Sequence, residues 1–177
     1  QSSELDSADI VIGNKSNHLV YDYIMQFISK RERIIAVDEH KSGESFKGDT
    51  ISGFRERTRA NVKIEDGCNR FCSYCIIPYA RGDLRSLPLE EVYAQAKALV
   101  DSGHREIVLN GINLGLYGED NGTTLAEAVK KVSEAGAERI RLGSLEVDLL
   151  TEKLLRALSE IKGFCPHFHA SLQSGSD

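Results

Sequence analysis

No stretch of about eighteen consecutive apolar residues occurs in this sequence, which excludes a membrane-spanning helix of ordinary length. The first residues, Gln1-Ser-Ser-Glu-Leu-Asp6, lack the positive charge and apolar run of a secretory leader. The expectation is therefore a soluble, cytoplasmic protein with reduced thiols and no membrane partner. Basic residues are in the minority, 22 Lys and Arg against 27 Asp and Glu, and a formal charge of -5 taken alone speaks against a nucleic-acid partner. Gly111, Gly115 and Gly118 do not make a nucleotide fingerprint on their own. Core material is not lacking, since 41% of the 177 residues are hydrophobic. The sequence starts without methionine and stops at Asp177 just after a strand-like segment, so a piece of a longer protein is expected.

Cysteine is scarce but concentrated. Three of the four fall within the eight residues Cys68-Asn-Arg-Phe-Cys72-Ser-Tyr-Cys75, and the fourth, Cys165, lies far downstream. Four readings compete for this run. Spacing i, i+4, i+7 is one face of a helix, where thiols act as small buried hydrophobes, although Gly67, Asn69 and Pro78 are poor helix company. A disulfide would leave an odd thiol. Structural zinc normally closes a tetrahedron with four protein ligands, and no fourth cysteine or histidine lies nearby. A 4Fe-4S cluster on three thiolates is the favoured reading; it leaves one iron without a protein ligand, open to bind something else.

Patterning along the chain predicts an α/β protein. Residues 8–13 read as a buried strand, 16–29 as a helix with Leu19, Tyr23, Met25, Phe27 and Ile28 on one face, and 33–37 as a second strand. The polar stretch 38–58 reads as a linker, so the expected units are 1–37, the linker, and 59–177. A strand at 60–65 precedes about twenty residues without periodicity, a length that is uncommon without a function. A helix then starts near Pro88 with the stripe Leu89, Val92, Ala96, Leu99 and Val100, and Gly103 ends it. Strands at 106–110, 139–142 and 167–172 alternate with helices at 124–135 and 151–161. The order (βα)3β implies a parallel sheet with functional residues at strand C-terminal ends.

Charge is unevenly spread. Residues 55–85 hold seven basic and four acidic residues, a local excess within an acidic chain that could hold RNA phosphates as readily as it could be a solvated loop. Cys165, His167 and His169 alternate, so in a strand they share one face, as a small metal site or as polar lining. His40 and His104 read as exposed loop residues, and His18 falls within the first helix.

The pattern Cys-x-x-x-Cys-x-aromatic-Cys, with Tyr74 before the last thiol, resembles the signature of radical S-adenosylmethionine enzymes. The wider stretch 57–86 resembles the methylthiotransferases of that superfamily, most of all those acting on threonylcarbamoyladenosine in tRNA, and 107–115 and 167–177 fit the same group. The resemblance implies the first half of a parallel (βα) barrel, preceded by the tail of a small α/β domain. In the family that domain carries three further cysteines for a second cluster, and none is present here. An unclosed barrel would leave the strand near His167 as an edge and the isolated segment prone to aggregate.

The resemblance further implies that Cys68, Cys72 and Cys75 ligate three irons while the fourth chelates S-adenosylmethionine. Reductive cleavage of that cofactor then yields a 5'-deoxyadenosyl radical. Tyr74 would lie beside its adenine, and Gly111, Asn113, Ser144, Glu146, Gln173 and Ser174 would hold the rest. Here Gly111-Ile-Asn113 departs from the Gly-Gly-Glu of many radical enzymes. The implied partners are the tRNA anticodon stem-loop, met by Arg57, Arg59, Arg81 and Arg85, and a reductant such as flavodoxin or ferredoxin. The chain is expected to cleave the cofactor without finishing the methylthiolation. A methylthiotransferase for a ribosomal-protein aspartate, or a non-catalytic cluster or zinc module that binds RNA, stay open as alternatives.

Overall fold

The alternation in Arg59–Lys63 (β3) sets the orientation of the central sheet. Ala60 and Val62 turn to one side and are buried, whereas Arg59, Asn61 and Lys63 turn to the other and are exposed. The computed structural model describes residues 5–40, 43–46 and 58–175. Glu106–Asn110 (β6, after the short elements introduced below) lies parallel to β3, and Arg139–Leu142 (β7) lies parallel to β6. Ile107 and Leu109 of β6 and Ile140 and Leu142 of β7 fall in line with Ala60 and Val62, so one face of the sheet is apolar throughout.

Helices Leu89–Asp101 (α3) and Leu125–Glu134 (α4) cover that face. Val92, Ala96 and Leu99 of α3 and Leu125, Ala128, Val129 and Val132 of α4 join the strand residues in one core. Each helix is bounded by local chemistry. Thr124 and Glu127 form a capping box: the Thr124 hydroxyl accepts the Glu127 N–H and donates to its carboxylate. Past the end of α3, Gly103 adopts φ +98°, its N–H reaches the Val100 carbonyl and that of His104 reaches Leu99. This turn folds His104 into the interior, which overturns the expectation of an exposed loop histidine. His40 is likewise half-buried, against Glu44 and Arg85.

The opposite face of the sheet carries polar rows in register. Glu106 sits between Arg59 at 2.7 Å and Arg139 at 3.1 Å, and Asn110 donates to Asn61 at 2.9 Å. After β7, Ser144–Glu146 (β8) forms a separate parallel pair with His169–Ser171 (β9), and Glu152–Ser159 (α5) lies between them in sequence. An isolated parallel bridge joins Ile140 of β7 to Phe164, in the segment between α5 and β9. The expected parallel α/β pairing is thus present, but in a three-stranded and a two-stranded sheet. Among the described residues β9 has no partner on its other side.

The long segment 66–86, expected to lack structure, contains Glu65–Asp66 (β4) paired antiparallel with Arg85–Ser86 (β5), and the short helix Ile77–Arg81 (α2). At the start, Ile10–Ile12 (β1) pairs parallel with Ile34–Ala36 (β2) across Val20–Lys30 (α1). The predicted helix 16–29 opens as a 3-10 turn over Asn14–Leu19, which holds His18, and none of the α1 side chains is buried. Of the stretch 38–58, residues 41–42 and 47–57 lie outside the described set; Phe46 packs on the core beneath the Lys63 ammonium.

Truncating the buried face should cost far more than truncating the open one. Leu109→Ala is expected to lower unfolding free energy by about 2–5 kcal/mol, and Val108→Ala, half-buried on the polar side, by less than about 1 kcal/mol. Urea unfolding followed by circular dichroism measures both.

Candidate active site

A two-residue neck closes the cysteine loop. Glu65 pairs with Ser86 and Asp66 with Arg85, so the residues between them leave and re-enter the body at one point. Gly67 makes the first turn at φ +80°, where a Cβ would overlap the Asp83 carbonyl. Asp66 fixes the neck electrostatically: Lys63 lies at 3.0 Å, Arg81 at 3.2 Å and Arg85 at 3.4 Å. Burial alone would raise the Asp66 pKa, but the Lys63 ammonium, Arg81 and the Gly67 N–H outweigh it and hold the carboxyl below its ordinary value.

Within the loop the Cys68 N–H donates to Gly82, Asn69 accepts the Leu84 N–H, and Cys75 closes a turn on Cys72. Residues 67–76 are not helical, so the core-stripe reading is set aside. All four thiols are free, and no disulfide forms. Among the described residues no three His, Cys, Asp or Glu side chains gather around one point, as a single zinc ion would require. A cluster places each thiolate on its own iron, with the three sulfurs set wider apart around one cube. Cys72 and Cys75 are half-buried, whereas Cys68 packs with Leu84 and Leu116.

The expected cofactor contacts all stand at the C-terminal ends of the parallel strands. Gly111 and Asn113 follow β6, Ser144 and Glu146 form β8 beyond β7, and Gln173 and Ser174 follow β9. Two of them meet the cysteine loop directly. The Tyr74 hydroxyl donates to Gln173 at 2.6 Å, and Arg70 grips Glu146 at 2.9 Å and Asp148 at 2.5 Å. Asn113 is only 4% exposed, and neither atom of its side-chain amide has a protein partner. Leaving such a group unpaired costs about 1–3 kcal/mol, which a polar ligand would offset.

The arginines expected to meet RNA divide. Arg57 lies outside the described residues. Arg59 opens β3, at the end away from the cysteines, and is paired with Glu106. Arg81 and Arg85 stand in the neck and line an open cavity with Lys15, His40, Glu44 and Lys63. The candidate metal trio is not assembled. The His167 N–H turns back to the Cys165 carbonyl at 2.7 Å, which breaks the alternation and leaves Cys165 buried and both histidines exposed.

Sequence reasoning missed Glu65 and Arg70. Glu65 is 0% exposed; its Oε2 accepts the Asn113 N–H at 2.8 Å, and its Oε1 is buried without a partner. Desolvation raises its pKa to about 7, against the lowering effect of the Asn113 N–H. The chain pairs Ile64 in phase with β3 and then restarts at β4, so no periodicity marks the next residue as interior. Arg70 was counted only as local charge. The donor set of three free thiols on an irregular loop, beside an orphaned buried amide, fits a cluster with a small polar ligand.

Two outcomes follow for the metal-free protein. Burial pushes the Cys68 thiol pKa up, assisted by Glu146 and Glu65, so Cys72 and Cys75 should alkylate first and Cys68 lag, read by peptide mass mapping. For Glu65, the unfolded chain ionises near pH 4.5 and the folded one near pH 7. Its contribution to stability is therefore greatest below pH 4.5 and is lost as pH rises to about 7. Glu65→Gln removes that loss, so its melting temperature should exceed the wild type's by more at pH 8 than at pH 4.5, a gap worth up to ~3 kcal/mol.

Residues 62–177 match the family model of the radical SAM superfamily. Over 178 residues the chain is 39% identical to threonylcarbamoyladenosine tRNA methylthiotransferase MtaB of Bacillus subtilis, covering 98% of the chain and 39% of that protein. Identity to the Thermotoga maritima protein of the same name is 37% over 171 residues, covering 96% of the chain and 38% of the relative. A tRNA-2-methylthio-N(6)-dimethylallyladenosine synthase of Clostridium tetani is 36% identical over 171 residues, covering 95% and 37%. The chain thus spans about two fifths of the length of these relatives. With the greater part of its length matched and its three thiols set out on a loop at the strand ends, the chain belongs to the radical SAM superfamily.

Proposed function

We propose that this chain is the cysteine-loop segment of a tRNA methylthiotransferase. The intact protein places a methylthio group on carbon 2 of threonylcarbamoyladenosine beside the anticodon. One observation carries the reading: three free thiols on a non-helical loop, at the same end of the parallel strands as every expected cofactor contact. Likeness to methylthiotransferases over almost the whole chain supports the substrate class. No finding favours an aspartate substrate or a purely binding role.

In this reading Cys68, Cys72 and Cys75 hold a 4Fe-4S cluster, which when bound supplies the electron for reductive cleavage of S-adenosylmethionine. The chain's own residues position the reactants. Tyr74, steadied by Gln173, offers a ring beside the adenine; Asn113 offers a buried amide. Glu146 is held in place by Arg70, and Gly111, Ser144 and Ser174 complete the strand-end wall. The sheets are the first half of a parallel barrel over 59–177, joined through 38–58 to the tail of an α/β domain over 1–37. Its polar sheet face, with Asn61, Asn110 and Arg141, lines the interior. RNA phosphates meet Arg57, Arg59, Arg81 and Arg85. Lys15 and Lys63 in the cavity of Arg81 and Arg85 support that role, since cations there outnumber Glu44 and Asp66. The protein works in the cytoplasm with flavodoxin or ferredoxin as reductant; no helix among the described residues is long and apolar enough to cross a membrane.

Anaerobic reconstitution with iron and sulfide, followed by reductant and S-adenosylmethionine, should yield 5'-deoxyadenosine. Alanine at Cys68, Cys72 or Cys75 should abolish both the visible iron-sulfur absorbance and the product, whereas Cys165→Ala should retain both. Product formation undiminished in the Cys72 variant would sink the proposal. For the substrate, mass spectrometry of tRNA treated with the intact protein should show a methylthio group replacing hydrogen on threonylcarbamoyladenosine and none on dimethylallyladenosine.

A further inference from the structure

The neck that closes the cysteine loop also grips the loop after β6, at two points. Glu65 and Ser86 are cross-strand partners, and each accepts from the backbone of that loop: Asn113 donates to Glu65 at 2.8 Å, with the neighbouring Ile112 N–H also turned toward that carboxylate, and Gly118 donates to the Ser86 hydroxyl at 2.8 Å. The approach to Glu65 is close enough that a Cβ on Gly111 would overlap its carboxylate, so any larger residue there would have to displace the Glu65 side chain. Ile112 and Leu116, on either side of Asn113, pack in the small apolar cluster that includes Cys68. Asn113 therefore stands between a fixed backbone bond and the cysteine loop. Its side chain is buried, and neither amide atom is used by the protein.

We infer that Glu65 is a positioning residue: by holding the Asn113 N–H it presents the Asn113 side-chain amide to the polar ligand bound at the cysteine loop. The inference rests on the proposed function for the identity of that ligand, S-adenosylmethionine. What Glu65 must supply is an acceptor oxygen, not a charge. Glutamine keeps that oxygen and fills the same space; alanine removes it and leaves the Asn113 N–H without a partner. Ser86 still holds the far end of the loop, so the alanine variant loses the placement of Asn113 while the neck remains.

The test uses the protein reconstituted with iron and sulfide, comparing wild type, Glu65→Ala, Glu65→Gln, Asn113→Ala and the Glu65→Ala, Asn113→Ala pair. Hydrogen exchange read by mass spectrometry on peptides covering 111–116 reports the strap formed by the Asn113 N–H and Glu65 with no ligand present. Titrating S-adenosylmethionine against the electron paramagnetic resonance of the reduced cluster reports affinity. Glu65→Ala should speed exchange in 111–116 and weaken binding by roughly tenfold at unchanged iron content, and Glu65→Gln should restore both. The double variant should bind no more weakly than Asn113→Ala alone, because both changes remove one contact. Unchanged exchange in Glu65→Ala overturns the strap, and additive losses in the double variant overturn its connection to Asn113. A wild-type cluster signal that ignores S-adenosylmethionine overturns the functional reading, and with it the ligand named here, while the exchange result stands apart.

Discussion

Closure of the cysteine loop at a two-residue antiparallel neck is the constraint on which the rest of the site depends. Only two rungs join Glu65–Asp66 to Arg85–Ser86, too few to be stable by themselves. What makes the neck firm is what converges on it. Asp66 gathers Lys63, Arg81 and Arg85, and Gly67 lets the two sides approach. The neck's other pair, Glu65 and Ser86, anchors the neighbouring loop. Lys63 and Ile64 connect this assembly to β3, so the loop's placement is inherited from the parallel sheet behind it.

The same arrangement explains where the positive charge goes. The excess seen between residues 55 and 85 looks in sequence like a collar offered to a partner. In the fold, Asp66 and Glu44 absorb much of it, and Arg85 is largely buried between them, so these cations first hold the protein to itself. Lys15 adds charge from a distant part of the chain, which no count along a single segment could reveal. Arg59 answers to Glu106 on the neighbouring strand instead.

Much of this was legible in the residues. The strands at 106–110 and 139–142 and the helices behind Thr124 and Thr151 were readable because periodicity and capping chemistry are local and agree with tertiary packing. The thiol spacing was readable because three cysteines within eight residues stand out in a chain that has only four. The remainder depends on partners distant in sequence. Glu65 follows a strand whose phase breaks at Ile64, and its role appears only once Asn113, 48 residues on, comes to meet it. His104 was misjudged because the glycine turn after α3 folds the chain inward, and the Cys165, His167, His169 alternation failed because Pro166 sits in a tight turn that ends the extended run. The apolar face assigned to the first helix is only partly covered among the described residues: Leu19, Tyr23 and Phe27 are half-buried, and Met25 and Ile28 are exposed.

The main apolar interior contains none of the three clustered thiols: it runs from Ala60 to Leu158 beneath the helices, and Cys68 belongs to a separate small group with Leu84 and Leu116. In a zinc finger the metal is the keystone of the fold, and removing it unravels the domain. Here the helix-covered core and the loop that bears the thiols are separate parts. If that loop holds the proposed cluster, oxidative loss of the cluster would empty the loop without dismantling the core, so the same polypeptide could be recharged in place and need not be replaced.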